Sequence, residues 1–338
     1  MNNNKNWYFY DNIILYINNY IIYISYNMKQ ITLQLLPTTC FTKFGKDYYA
    51  MINKEQFIEY FFDNYNIEIV SNIKKETDIF VTSVYSTNID HILYKNSKVH
   101  IMICIENLSN TRFRHYTHFN TFGEYGDNRV HIYVYNHIDK IQETSSYIAI
   151  PCVYFRLDYL QKKYSYYYNY PTLQTSFSNK KFCLMINKSN INPLINEFVK
   201  KLETIDKVDN IALYNNKILK KSCFNSIELL EVFNKYKFIL CVENSYCNGY
   251  VTEKICNVFF SKSIPIYSGS PIIESYCNKN SFVHIENKNI DKSINIIKKL
   301  YTDETLYNTY INAPKISKEY NNENYKEKMR NIIEKICV

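Results

Sequence analysis

The sequence predicts an α/β protein of two units, each a parallel sheet layered with helices, and three observations carry that prediction. The chain has 338 residues, 46% of them hydrophobic, whereas a single core usually stops growing at ~250 residues, so two cores are expected. Short runs of β-branched and aromatic residues recur along the chain, separated by stretches of helical spacing, and this alternation favours parallel sheets. From Phe238 onward the order reads β-α-β-α-β, the doubly wound pattern.

In chain order, residues 13–26 (IILYINNYIIYISY) come first and are largely apolar. The run is shorter than the ~20 residues of a spanning helix and is broken by Asn18 and Asn19. It lacks the basic start and small-residue cleavage site of a signal peptide. A soluble or peripherally membrane-associated segment is expected. Buried strands are predicted at 78–84 (DIFVTSV), 98–105 (KVHIMICI), 130–135 (VHIYVY), 182–186 (FCLMI) and 211–214, with helices at 55–62 and 194–202. Residues 164–175 (YSYYYNYPTLQT) have no period and carry Pro171, which places the domain junction there. Beyond it come a strand at 238–242, a helix at 251–260, a strand at 264–267, a short helix at 271–276, a strand at 282–285 and a helix from Ile290. Met329, Ile332, Ile333 and Ile336 make an amphipathic terminal helix over 324–338 that packs back on the protein. The expected units are 1–170, 171–315 and the packing-back segment 316–338.

Composition narrows the partners. A net charge of +8 favours a nucleotide diphosphate, nucleic acid or an anionic membrane. The lysines are spread along the chain rather than gathered, which disfavours nucleic acid. The 35 tyrosines, set against five glycines and one tryptophan, read more readily as coding bias than as stacking platforms. Ten scattered cysteines form no CxxC pair, so free thiols in a reducing compartment are the default. The glycan-acceptor pattern at Asn107 falls beside a candidate catalytic residue, and a glycan there would block it. A cytoplasmic location is expected.

The chemistry is expected where the strand 238–242 runs through a polar loop, Glu243 to Tyr250, into a helix, because ligands of open α/β sheets bind at the carboxyl ends of strands. Glu253 and Lys254 fall in the first turn of that helix. Lys254 supplies charge for a diphosphate leaving group and Tyr250 a hydroxyl donor. Glu253 accepts from sugar hydroxyls, and its charge favours an oxocarbenium-like transition state. Taken alone, such a Glu-Lys pair more often marks a solvated helix start.

Residues 237–254, followed by Ser263-Ile-Pro-Ile-Tyr-Ser-Gly269-Ser-Pro271 and Ser281-Phe-Val-His-Ile, resemble the donor-binding signature of the α1,3/α1,4-fucosyltransferases, glycosyltransferase family ten. The resemblance implies two Rossmann-like domains facing a cleft, the GT-B type. It implies GDP-fucose as donor, bound by Asn244, Gly249, Tyr250, Glu253 and Lys254, and an N-acetylglucosamine-containing or lactosamine-type glycan as acceptor. Lys98-Val-His-Ile-Met-Ile-Cys-Ile-Glu106-Asn107 resembles the family strand that ends in the proposed general base. That makes Glu106 the base of an inverting transfer to O3, catalytic together with Glu253.

Two positions depart from the family pattern. Ile195 aligns with an arginine that pairs with the diphosphate: either Lys188 or another lysine replaces it as a less directional charge, or donor affinity is reduced, or the alignment slips by a turn. Ser268 stands where the family commonly has tryptophan. No Asp-x-Asp motif is present, so no cofactor is expected to be required, and a divalent metal at most stimulates. The basic, aromatic residues 109–129 are either an acceptor lid or a solvated loop. A transferase with another nucleotide-sugar donor, and a catalytically inactive sugar- or nucleotide-binding protein, stay open as alternatives.

Overall fold

The structure is a computed structural model. It describes residues 13–17, 20–24, 30–35, 62, 65–70, 77–83, 97–104, 130–135, 147–151, 157, 175–186, 193–210, 227–286, 289–317 and 322–337.

Strands β1 (Ile13–Ile17) and β2 (Tyr20–Ile24) pair antiparallel, with Ile17 opposite Tyr20. The apolar run near the start therefore contains two paired strands, and no helix among the described residues is long and apolar enough to cross a membrane. The next sheet is wholly parallel, in the order β4-β3-β5-β6-β7-β8. Its strands are β3 (Gln30–Leu35), β4 (Asn66–Val70), β5 (Thr77–Ser83), β6 (Ser97–Cys104), β7 (Val130–Tyr135) and β8 (Tyr147–Pro151). Three of these were read from the sequence, within a residue of their bounds. The alternation in β3 (QITLQL), with apolar Ile31, Leu33 and Leu35, is a period-2 signal that the reading passed over.

The second parallel sheet has the order β10-β9-β11-β12-β13. It comprises β9 (Lys181–Met185), β10 (Val208–Asn210), β11 (Tyr236–Val242), β12 (Ile264–Ser268) and β13 (Val283–His284). The sequence predicted the second of these at 211–214, which lies outside the described residues; the ladder with β9 runs through Val208 to Asn210 instead. Its helices are α1 (Pro193–Glu203), α2 (Ile227–Asn234), α3 (Glu253–Phe259), α4 (Ile273–Tyr276), α5 (Ile290–Thr302) and α6 (Glu304–Asn312).

Successive residues of a strand face opposite sides of its sheet, and β11 divides accordingly. Ile239 and Cys241 join a core with residues of α2, α3 and α4, while Phe238 and Leu240 join a second core with residues of α1, α5 and α6. Helices thus cover both faces, which is why strand β11 is apolar almost throughout. The strand order reverses between β9 and β11, and in such sheets the ligand crevice opens at that reversal, beyond the carboxyl ends of the strands. The loop after β11 therefore stands at the crevice.

The last helix, α7 (Asn322–Cys337), lies beside β6 of the first sheet. Met329 and Ile333, two of the four apolar positions read from the sequence, are fully buried.

Candidate active site

Strand β11 delivers Glu243 to the carboxyl edge of the second sheet, where its backbone N–H donates to Ser268 O at 2.8 Å. The loop then turns at Gly249, whose φ of 76° lies in the left-handed region that glycine occupies without strain. Gly249 N donates to Ser270 Oγ at 2.9 Å, and Val251 N closes back on Gly249 O at 2.9 Å. Tyr267 braces this turn from β12: its hydroxyl donates to Tyr250 O at 3.3 Å and accepts from Ser270 N at 3.0 Å.

Helix α3 starts two residues later than the sequence predicted, because Thr252 is buried as extended chain. With φ −112° and ψ −168°, Thr252 is the N-cap residue, yet its side chain does not cap the helix. Its hydroxyl donates to Glu243 Oε2 at 2.7 Å, and its N–H donates to Glu243 Oε1 at 2.8 Å. The helix is only seven residues long, so its dipole is weak and the positive charge of the site rests mainly on Lys254.

Lys254 Nζ donates to Glu243 Oε2 at 3.1 Å and to Thr252 Oγ1 at 3.2 Å, and lies 3.8 Å from Glu253 Oε1. The side chains of Lys254 and Glu253 are 27% and 17% exposed, and that of Glu243 is 0% exposed. Burial pushes the Glu243 carboxyl up; Lys254 draws it back down and Glu253 adds to the push. Burial, and then Glu243, raise the Tyr267 hydroxyl well above its ordinary value. The result is a fixed ammonium with carboxylates on two sides, which sets one cationic donor and two acceptors together at the carboxyl end of β11.

Among the residues read from the sequence, the structure brings together Glu253 and Lys254 and sets Gly249 and Tyr250 on the loop behind them. Asn244 is exposed on the same loop, while Tyr250 is only 2% exposed, within the wall of the site rather than on its surface. Glu106 and Lys188 lie outside the described residues. Ile195, the position aligned with a phosphate-binding arginine, is fully buried on α1 in one core with Phe198 and Leu202. It is a core position, and no phosphate ligand is presented from it. The sequence reading missed Glu243, Thr252 and Tyr267. Glu243 was legible as a charged residue abutting an apolar strand, and Gly269 as one of only five glycines.

Residues 175–338 match the family model of the C-terminal domain of glycosyltransferase family 10 (fucosyltransferase). The chain is 39% identical over 116 residues to alpha-(1,3)-fucosyltransferase FucT of Helicobacter pylori, covering 34% of this chain and 23% of that protein. It is 36% identical over 96 residues to putative fucosyltransferase R654 of Acanthamoeba polyphaga mimivirus, covering 28% of this chain and 16% of that protein. The matched stretch thus spans less than a quarter of the length of either relative. The fold superposes on the crystal structure of an α1,3-fucosyltransferase with GDP-fucose with a TM-score of 0.63 and 19% identity, over 93% of this chain and 92% of that one. The architecture is accordingly α/β of the GT-B type, a likeness that takes in both parallel sheets. Residues 175–338 of the chain are thus similar to the C-terminal domain of glycosyltransferase family 10, the fucosyltransferases.

Proposed function

We propose that the protein transfers fucose from GDP-fucose, with inversion, to O3 of an N-acetylglucosamine-containing glycan. The observation that carries the donor half is the Lys254 ammonium fixed at 3.1 Å from Glu243 at the carboxyl end of β11, within a domain similar to that of the fucosyltransferase family. In this reading residues 1–170 hold the acceptor and the base, residues 171–315 hold the donor, and 316–338 pack back.

The chemistry follows from these assignments. Glu106 removes the proton of the acceptor hydroxyl as its oxygen bonds to the fucose anomeric carbon. The bond from that carbon to the β-phosphate oxygen breaks on the opposite face, and GDP leaves with the electron pair. Lys254 neutralises charge developing on the diphosphate, and Glu253, beside the sugar, stabilises its positive charge. Asn244 and the Gly249–Tyr250 turn complete the donor contacts, with Lys188 as a second phosphate partner. No metal enters this scheme.

GDP release from GDP-fucose, measured across N-acetylglucosamine and lactosamine acceptors, tests it. Acceptor-dependent turnover that is lost in both Glu106→Ala and Lys254→Ala is the expected result; turnover untouched by either change would sink it. A second reading, a nucleotide-sugar-binding protein without catalysis, is favoured by one observation: the aligned phosphate-arginine position is the buried Ile195. It requires GDP-fucose binding with no turnover on any acceptor.

A further inference from the structure

Glu243 is the most enclosed charged group of the site, and no step of the transfer uses it. Its place is fixed from two strands: its backbone N–H is held by Ser268 O, and its side chain lies over Gly269, where a β-carbon would come within 2.5 Å of Glu243 Cγ. Its oxygens take the Thr252 N–H, the Thr252 hydroxyl and the Lys254 ammonium at 2.8, 2.7 and 3.1 Å, and the ammonium donates to the same hydroxyl at 3.2 Å. Nζ therefore sits in a triangle with two immobile oxygens, although a lysine ammonium on its four-carbon stem is otherwise mobile.

By charge alone this carboxylate is out of place. With Glu243, Glu253 and Lys254 all ionised, two negative charges face one positive, which repels a diphosphate. A carboxylate that opposes the ligand and is nonetheless locked beside its principal cation acts through geometry.

We propose that Glu243 is a positioning residue, which directly and through the Thr252 hydroxyl holds the Lys254 ammonium at the point where the diphosphate of the donor is received. This rests on reading the site as a diphosphate site. Holding the ammonium in place before the ligand arrives removes the cost of ordering a long side chain on binding.

The test is a double-mutant cycle on GDP binding by titration calorimetry, with thermal melts to establish that each variant is folded. Glu243→Gln and Lys254→Met are each expected to weaken GDP binding about tenfold, and the double variant no further, because residues acting through one contact are not additive. Removing a negative charge would by itself tighten anion binding, so weakening marks positioning. Tighter or unchanged binding in Glu243→Gln, or losses that multiply in the double variant, would overturn the proposal while leaving the diphosphate site standing. Failure of the unmutated protein to bind GDP would overturn both. Should Glu243→Gln not fold, Thr252→Val reads the same link: a loss of about threefold that is absent alongside Lys254→Met supports the proposal, and a loss that persists there overturns it.

Discussion

Gly269 packs against Glu243 so closely that a β-carbon at position 269 would lie 2.5 Å from Glu243 Cγ and 2.4 Å from the Tyr267 hydroxyl oxygen. Neither neighbour can retreat, since one is tied to Thr252 and Lys254 and the other to Tyr250 and Ser270. Gly269→Ala is therefore expected to cost about 1–3 kcal/mol of stability by overpacking and to weaken GDP binding by displacing Glu243. Gly249→Ala is expected to cost about 1–2 kcal/mol for another reason, the left-handed φ of 76°. Urea unfolding with GDP titration checks both; a stable Gly269→Ala with unchanged affinity would contradict the packing argument.

Stability should rise with pH above neutrality. Burial, followed by the charges of Lys262 and Lys237, lowers Lys180 to about 7; burial, followed by Lys262, lowers Lys315 to about 8. Unfolded lysines titrate near ~10.4, so between these values the unfolded chain binds more protons and stability climbs with pH. The hydrogen bond to Asp206, and then burial, raise Tyr301 to about 12, a contribution lost as pH climbs past the unfolded tyrosine value of ~10. At the acid end the Lys181 hydrogen bond holds Asp209 at about 2, and its contribution fades as pH falls from ~4 toward that value. Burial raises the Cys183, Cys241 and Cys277 thiols, which opposes the lysines above the unfolded thiol value of ~8.5, so unfolding midpoints followed across this range should peak at about pH 9, and Lys180→Met should flatten the rise. A midpoint that falls steadily from pH 7 to 9 would contradict the assignment.

The second sheet was legible because its strands are buried on both faces. FILCV and IPIYS read as strands without any partner in view, and the helices between them carry strong apolar stripes. Element ends were less legible: Val251 and Thr252 have helical spacing from Ile255, yet Glu243 draws Thr252 into extended chain and delays the helix. The role of Glu243 is equally nonlocal, since its donors come from nine and eleven residues further on. A sequence pattern reveals a charged residue there but not which way it faces. Ile195 shows the converse case, in which alignment alone assigned a ligand position that the packing of α1 assigns to the core.

The contact between α7 and β6 ties the end of the chain to the first sheet. Met329 and Ile333 of that helix are fully buried, so Ile333→Ala is expected to cost about 2–4 kcal/mol through lost burial and the cavity it leaves. Surface Glu334→Ala should change little. Hydrogen exchange should place the added opening in β6 as well as in α7; loss of protection confined to α7 would show that the helix does not brace the sheet.

In the proposed mechanism Lys254 meets the diphosphate without a metal, so GDP binding and transfer are expected to survive exhaustive chelation, with divalent cations raising the rate by no more than a few fold. Loss of all turnover on chelation, restored by manganese alone, would reverse that assignment.

Ile195→Arg separates the two explanations of the departure from the family pattern. If position 195 were the phosphate position and had merely lost its arginine, restoring one would tighten GDP binding. Yet Ile195 is fully buried in one core with Phe198 and Leu202, and an unpaired guanidinium there must either stay desolvated or open the core. The expected outcome is destabilisation by more than about 4 kcal/mol, the range of a buried unpaired charge, with no gain in affinity by the fraction that folds. Ile195→Leu, which keeps the volume, should be nearly neutral. A folded Ile195→Arg protein with tighter GDP binding would mean that α1 turns this face to the ligand, and the core assignment of Ile195 would then be wrong.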